Sequence, residues 1–328
     1  MKMLLTPLKL GKITLKNRIV LPPIATFGWG AEDGSVTPVQ LEHYRRMAAG
    51  GAGMVTVEAS CVSEGADCGR NAIALWDDRF QGGLEELARV IRAGGARAGI
   101  QLYHPGREPL SAEGFRSASK DFSRAAKLVR QAGFECVELH AAHGFLLDSM
   151  CANGLETDVF ALAEEVKGAC GDMALGVRLG VSSPDADAAV LRAGAFIHAG
   201  ADYISVSSGV GRFERPQGGE WPYSALMYGA SLVKPHIDKP VFGVWGIREH
   251  AQAEAILEAG IADAVCVGRA MLCDPEWARK AASGEKLNCC RECAHCMWHK
   301  DGRRCPAQKF LPEGLSAASM DIQAHNKA

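Results

Sequence analysis

The sequence of 328 residues is short of several things, and each shortage removes a class of function. No run approaches the roughly 18 consecutive apolar residues that a membrane span needs, so no membrane role is expected. Neither sign of charge dominates: 36 Lys and Arg stand against 38 Asp and Glu, for a net charge of −2. That leaves no basic field for nucleic acid or an anionic membrane surface. The first residues, MKMLLTPLKLGKITLKNRIV, carry no long apolar core and no small-residue cleavage site, so the chain reads as cytoplasmic. No Gly-x-Gly-x-x-Gly follows a strand-like run, so no dinucleotide-binding domain is visible.

What the chain does have is alternation. Short apolar runs bounded by Gly, Pro or Asp precede stretches with a helical apolar stripe, again and again. The pattern predicts strands at Arg18–Ala25, Gly53–Cys61, Ala98–His104, Glu135–Ala141, Met173–Gly180, Tyr203–Ser208, Pro240–Gly246 and Ala264–Gly268. Helices are predicted at Pro38–Ala49, Phe80–Ala93, Lys120–Ala132, Asp185–Ala199 and His250–Ala259, with Gly-rich stops before the next strand. Eight such units fit a (β/α)8 TIM barrel over residues 1–284 better than an open doubly wound sheet. A cysteine-rich segment follows over 285–312, and a polar tail over 313–328 has the composition of disorder.

Strand alternation also sorts side chains. With Ile100/Leu102, Val137/Leu139, Val177/Leu179, Ile204/Val206 and Val265/Val267 facing the helices, the interior receives Gln101, Glu138, His140, Arg178, Ser205 and Ser207. A barrel interior is normally aliphatic, so polar residues late in several strands mark a site at the C-terminal face. The loops after the last two strands hold Gly246 and then Gly268-Arg269, where barrels often take phosphate on backbone N–H groups. His140 and His143 end the fourth strand; no further metal ligands lie at suitable spacing nearby, which favours two N–H donors gripping a substrate oxygen.

Of the twelve cysteines, seven (Cys61, Cys68, Cys136, Cys151, Cys170, Cys266 and Cys273) are scattered along the body and read as unpaired. The other five crowd between Cys289 and Cys305, which favours ligation over a disulfide framework. Cys290-x2-Cys293-x2-Cys296-x8-Cys305, with Pro306 after the last, has the spacing of a [4Fe–4S] set. Structural zinc on the same thiolates is the alternative, and Cys289 is a spare that can stand in for Cys290.

Six stretches run in order along the chain: Leu-Thr-Pro-Leu-Lys-Leu-Gly (5–11), Lys-Asn-Arg-Ile-Val (16–20), Pro-Pro-Ile-Ala-Thr (22–26), Gln-Leu-Tyr-His-Pro-Gly-Arg (101–107), Glu-Leu-His-Ala-Ala-His-Gly-Phe-Leu-Leu (138–147) and Val-Gly-Arg-Ala (267–270). Together they resemble the old yellow enzyme family of NADH:flavin oxidoreductases. The nearest likeness is to the iron–sulfur branch with 2,4-dienoyl-CoA reductase, enoate reductase and trimethylamine dehydrogenase, without the C-terminal FAD and NAD(P)H domains. The resemblance implies an FMN bound along Pro23, Ile24 and Ala25, with Thr26 tuning the ring near O4. Ala59 and Gln101 would meet the ring, and Arg178 would stabilise its reduced anionic form. Ser208, Gly209, Gly246, Gly268 and Arg269 would hold the phosphate. His140 and His143 would bind the substrate's oxygen, with hydride passing to the β-carbon of an activated alkene. The branch also carries a [4Fe–4S] cluster at the place of Cys290, Cys293, Cys296 and Cys305.

Three departures from the family pattern bear on the chemistry. The family's proton-donating Tyr is replaced by Phe145, leaving Tyr103 or Asp148 to give the proton. The stretch after Leu155-Glu-Thr-Asp158 is missing, and the excursion after Arg107 is cut to about a dozen residues relative to the family pattern. The expected activity is reduction of an unsaturated carbonyl or thioester with electrons from NAD(P)H or a separate donor protein. Amine oxidation and a non-catalytic electron-transfer subunit, each compatible with a homo-oligomer, are the competing expectations.

Overall fold

The computed structural model describes residues 2–69, 71–181, 186–209 and 221–307, so the tail over 313–328 and the segment's end past 307 lie outside the described residues. A short antiparallel hairpin comes first, β1 (Leu8–Leu10) and β2 (Ile13–Leu15), which the alternation did not predict. The barrel follows as β3 (Ile19–Leu21), α1 (Pro38–Ala49), β4 (Met54–Cys61), α2 (Gln81–Ala93), β5 (Arg97–Tyr103) and α3 (Ala112–Gln131). It continues through β6 (Cys136–Ala141), α4 (Leu146–Ala152), α5 (Glu156–Cys170), β7 (Ala174–Val181), α6 (Ala186–His198) and β8 (Tyr203–Ser208). The last units are α7 (Ala225–Val233), β9 (Val241–Val244), α8 (His250–Glu258), β10 (Ala264–Cys266), α9 (Arg269–Cys273) and α10 (Trp277–Ser283).

Strands β3 to β10 pair in parallel, each with its chain neighbour, and β10 pairs back to β3 to close the barrel. All eight predicted strands are present. The helix after β5 is longer than its pattern suggested, starting at Ala112 rather than Lys120, because Ser111 caps it by accepting from the Gly114 N–H. Only residues 108–111 therefore remain of the excursion after Arg107, less than the dozen expected. Among the described residues no helix is long and apolar enough to cross a membrane.

Two apolar clusters divide the work. The larger holds Ile100, Leu102, Val137, Leu139, Val177, Leu179, Ile204, Val206, Val265 and Val267, packed outward against the helices as the alternation required. The smaller fills the lower interior with Val20, Met54, Cys136, Ala174, Tyr203, Phe242, Ala264 and Cys266, and includes Leu8, Leu10 and Leu15 from the hairpin. These interior residues sit near the starts of their strands, so the hairpin stoppers the N-terminal end and leaves the C-terminal end open to function.

The seven scattered cysteines are not all unpaired. Cys61, at the end of β4, is joined to Cys68 in the following loop, which turns back to bring their Cα atoms within 5.9 Å. Sequence spacing gave no sign of that return.

Within the lower interior, Tyr203 stacks on Phe242 at 4.4 Å and fills the space opposite Gly176. A Cβ on Gly176 would lie 2.0 Å from the Tyr203 ring. Gly176→Ala should therefore lower stability by about 1–3 kcal/mol through overpacking. The expected readout is a lower urea midpoint with an unchanged slope; an unchanged midpoint would show that the ring has room to move.

Candidate functional site

The polar upper interior is built by register. Gln101 lies beside Glu138, and His140 beside Arg178 and then Ser205, while Ser207 sits beside Gly180 on the next strand pair. Gln101 donates from Nε2 to Glu138 Oε1 at 2.7 Å, which turns its carbonyl oxygen elsewhere. Burial pushes the Glu138 carboxyl above the ordinary carboxylate range, with Arg178 pulling against it.

Ser207 is the hub. Arg178 Nη2 donates to its hydroxyl at 3.2 Å, and His143 Nε2 meets the same oxygen at 2.7 Å. The backbone at His143 is left-handed, φ 62°, a conformation that a non-glycine residue keeps only when its surroundings hold it. The hold here is the His143 N–H to the Ser208 carbonyl at 3.0 Å and the contact with Ser207.

Among the buried polar atoms without a partner are Arg178 Nη1 and His140 Nδ1, both in the bowl. Orphaned polar atoms of this kind are rare and call for a ligand or a function. Both imidazoles are neutral at pH 7. Burial pushes His140 well below its ordinary value, and takes His143 down to about 4, with Arg178 adding to both shifts. A neutral imidazole beside a fixed guanidinium suits an uncharged or anionic oxygen.

Tyr103 completes the bowl. Its ring lies 4.8 Å from Phe145 and 5.7 Å from His140, and burial pushes its phenol up to about 12, so it keeps its proton at neutral pH. Asp148, the other candidate donor, is 5% exposed and accepts the Gly144 N–H at 2.8 Å, which makes it a loop anchor. Arg107 stands over the Phe145 ring at 4.4 Å.

Pro23, Ile24 and Ala25 are half-buried in the loop after β3, and Gly268 sits against them, its missing Cβ 3.3 Å from Ile24. Ala59 is half-buried and pairs with Gln101 across a bulge in β4 that leaves Glu58 as the extra residue. Ser208 and Gly209 end β8, and Gly209 is so close to Gly180 that a Cβ there would sit 2.5 Å away. Gly246 has φ 79°, and Arg269 is exposed beside the Trp245 ring at 5.3 Å.

Thr26 sits in a network of its own. It is 2% exposed, and its hydroxyl donates to Glu58 Oε1 while accepting from Gln40 Nε2 at 3.0 Å. The hydroxyl thus has Glu58 on one side and Gln40 on the other. Thr26 is an anchor: its own N–H also reaches Glu58 at 2.6 Å, and Tyr44 donates into the same carboxylate at 3.5 Å. Sequence reading missed this network, although a Glu inside the apolar run Val-Thr-Val-Glu58 and the i, i+4 pair Gln40/Tyr44 on α1 were signals for it.

Cys290, Cys293, Cys296 and Cys305 line one cavity together with Arg269 and Pro306. Cys289 is exposed, and Cys273, the buried last residue of α9, hydrogen-bonds toward Cys290 and Cys305. Among the described residues no group of three or more His, Cys, Asp or Glu is drawn together as a metal site. The donor set nevertheless fits a thiolate-bound group, since four cysteines free of disulfides share one cavity wall.

Residues 3–119 match the NADH:flavin oxidoreductase / NADH oxidase family. An NADPH dehydrogenase of Bacillus subtilis (strain 168) is 29% identical over 321 residues, covering 85% of this chain and 94% of its own. The old yellow enzyme homologue of Zymomonas mobilis superposes with a TM-score of 0.77 at 19% identity, over 94% of this chain and 99% of its own. A 2-naphthoyl-CoA reductase superposes with a TM-score of 0.79 at 19% identity, over 92% of this chain; the matched part is 56% of that reductase.

The Glu58 network has a pH signature. Burial raises the Glu58 carboxyl to about 7 against its hydrogen bonds to Thr26, Gln40 and Tyr44. A raised carboxyl pKa means the folded state holds a proton that the unfolded state gives up above its ordinary 4.5. Relative to Glu58→Gln, the wild type should therefore lose about 3 kcal/mol between pH 4.5 and pH 7, at about 1.4 kcal/mol per unit. Urea unfolding of both proteins across that range checks it; parallel curves would mean that Glu58 titrates normally.

Proposed function

We propose that this chain, a flavin-dependent NAD(P)H oxidoreductase by its kinship with NADPH dehydrogenases, reduces an activated carbon–carbon double bond of an unsaturated carbonyl or thioester at the C-terminal mouth of the barrel. The observation that carries the reading is the buried constellation of His140, His143 and Arg178 on Ser207, with Arg178 Nη1 and His140 Nδ1 left without partners. A site that pays for orphaned donors has a bound oxygen or ring edge to satisfy them.

FMN would lie along Pro23, Ile24 and Ala25, with Ala59, Gln101 and Arg178 at its ring and Ser208, Gly209, Gly246, Gly268 and Arg269 at its phosphate. When bound, it supplies the hydride chemistry that no side chain provides. The glycines suit close backbone approach, and Arg269 adds forked donors for an anion. Neutral His140 and His143 hold the substrate's carbonyl oxygen and polarise it as N–H donors. Tyr103, protonated at neutral pH and beside Phe145, gives its proton to the α-carbon in place of the missing family tyrosine.

Amine oxidation fits less well. A substrate ammonium wants a free carboxylate, and beside the Tyr103 and Phe145 rings the bowl carries the Arg178 guanidinium, with Arg107 already over Phe145 and Glu138 engaged by Gln101. The four thiols Cys290, Cys293, Cys296 and Cys305 would hold a [4Fe–4S] cluster, with zinc as the simpler occupant of the same set. A cluster there gives electrons a second way in, from a separate donor protein.

The purified protein should be yellow-brown, with FMN, iron and sulfide found together. NADH or NADPH should bleach the flavin anaerobically, and an enone or enoyl thioester, but not an amine, should restore its colour. A colourless protein with one zinc and no FMN sinks the reading. Tyr103→Phe should slow reoxidation by an enone about 10²- to 10⁴-fold while leaving reduction by NAD(P)H unchanged. Equal slowing of both half-reactions would mean that Tyr103 shapes the bowl without donating the proton.

A further inference from the structure

The cysteine-rich segment is tied to the loop after β3, and one of its side chains reaches Ala25. Trp298 lies between Cys296 and Cys305, is 2% exposed, and donates its indole N–H to the Ala25 carbonyl at 2.8 Å. Ala25 belongs to the loop along which the flavin would lie. That loop lies beyond the strand ladder: β3 pairs with β4 only at Val20 and Leu21. Its place depends on side chains instead.

On the barrel side, Glu58 takes the Thr26 N–H and hydroxyl. On the other side stands the cysteine-rich segment. The Trp298 ring meets Trp29 edge-on at 5.2 Å, and Trp29 Nε1 donates to Asp301 Oδ1 at 3.1 Å. Gly302 packs directly on both indoles, since a Cβ there would stand 2.6 Å from Trp29 and 3.0 Å from Trp298. The Gly302 N–H reaches the Phe27 carbonyl at 3.4 Å, and the Phe27 ring lies 5.6 Å from His299.

The segment has little to order it internally. Asn288 closes it by donating to the Cys273 carbonyl at 2.6 Å and the Ala307 carbonyl at 2.7 Å, and between those ends lie only two single-turn helices. A stretch this poor in secondary structure gains its fold from a crosslink, and the four thiols on its cavity wall are the groups to provide one. We propose that the cysteine-rich segment is a structural part of the flavin site, and that Trp298 is the positioning residue through which loading of Cys290, Cys293, Cys296 and Cys305 holds the Ala25 carbonyl and with it the flavin. This rests on the reading above that residues 23–25 face the flavin and that the thiols bind an inorganic group.

The test uses the full chain as purified, with iron, sulfide and zinc quantified, before and after stripping with EDTA and ferricyanide. Two readouts are followed: hydrogen exchange of the amides of residues 24–29, and the FMN dissociation constant, with far-UV circular dichroism confirming that the barrel stays folded. Stripping should speed exchange in 24–29 and weaken FMN about ten-fold, the scale of one lost buried hydrogen bond. Trp298→Phe keeps the ring and removes the N–H; it should keep its metal, match the stripped wild type, and respond less than about two-fold to stripping. Exchange and FMN affinity that ignore stripping, a Trp298→Phe protein indistinguishable from wild type, or a wild type whose thiols bind no metal would each overturn the proposal. Exchange that responds in a protein binding no FMN in any state would keep the coupling and remove the flavin reading instead.

Discussion

A closed parallel barrel gives each strand residue two destinations, the helices or the interior, and leaves no edge to absorb a misfit. In this chain the interior positions change character partway up the strands. Val20, Met54, Cys136, Ala174 and Ala264 near the strand starts bury apolar surface with Tyr203, Phe242 and the hairpin leucines. Higher up, the same alternate positions carry Gln101, Glu138, His140, Arg178 and Ser207. The lower layer and the outer ring of helices stabilise the fold, and that stability offsets the cost of five polar side chains in a space with little water.

The loop after β3 depends on that frame most visibly. It leaves the ladder at Leu21, and its course is set where Glu58 reaches it. Glu58 reaches it because a bulge adds one residue to β4 there, which turns Glu58 to Thr26 and Ala59 to the bowl. Gln40 serves twice: its carbonyl oxygen accepts the Thr37 N–H in the capping box of α1, and its amide nitrogen donates to Thr26 and Glu58. A helix-start signal of ordinary kind thus supplies one wall of the site anchor.

Much of this was legible because it follows from period. The eight strands, the division of Ile100 from Gln101 or Val177 from Arg178, and the convergence of late-strand polar residues all follow from alternation. Contacts that depend on where loops return were not legible. Nothing in the spacing of Cys61 and Cys68 announces that the loop folds back, and nothing local to Trp298 says that its N–H meets the Ala25 carbonyl from the far end of the chain. The Thr26 contact with Glu58 was hidden for a different reason: a bulge in β4 brings the carboxylate to it, and a bulge leaves no mark in the spacing.

The unpaired groups bear on stability as well as chemistry. Arg178 Nη1 and His140 Nδ1 are buried without partners, and Glu58 sits where burial opposes its charge. Each unpaired atom costs the fold about 1–3 kcal/mol relative to a satisfied one. A ligand that accepts from Arg178 returns part of that cost only to the folded state, so binding and folding are linked. The same holds at the other end of the site, where the cysteine-rich segment has little secondary structure and is closed by Asn288 and docked by Trp298 and Asp301. The barrel supplies a rigid frame, and two of the buried polar atoms left without partners, Arg178 Nη1 and His140 Nδ1, lie in the bowl, so its order is linked to what it binds.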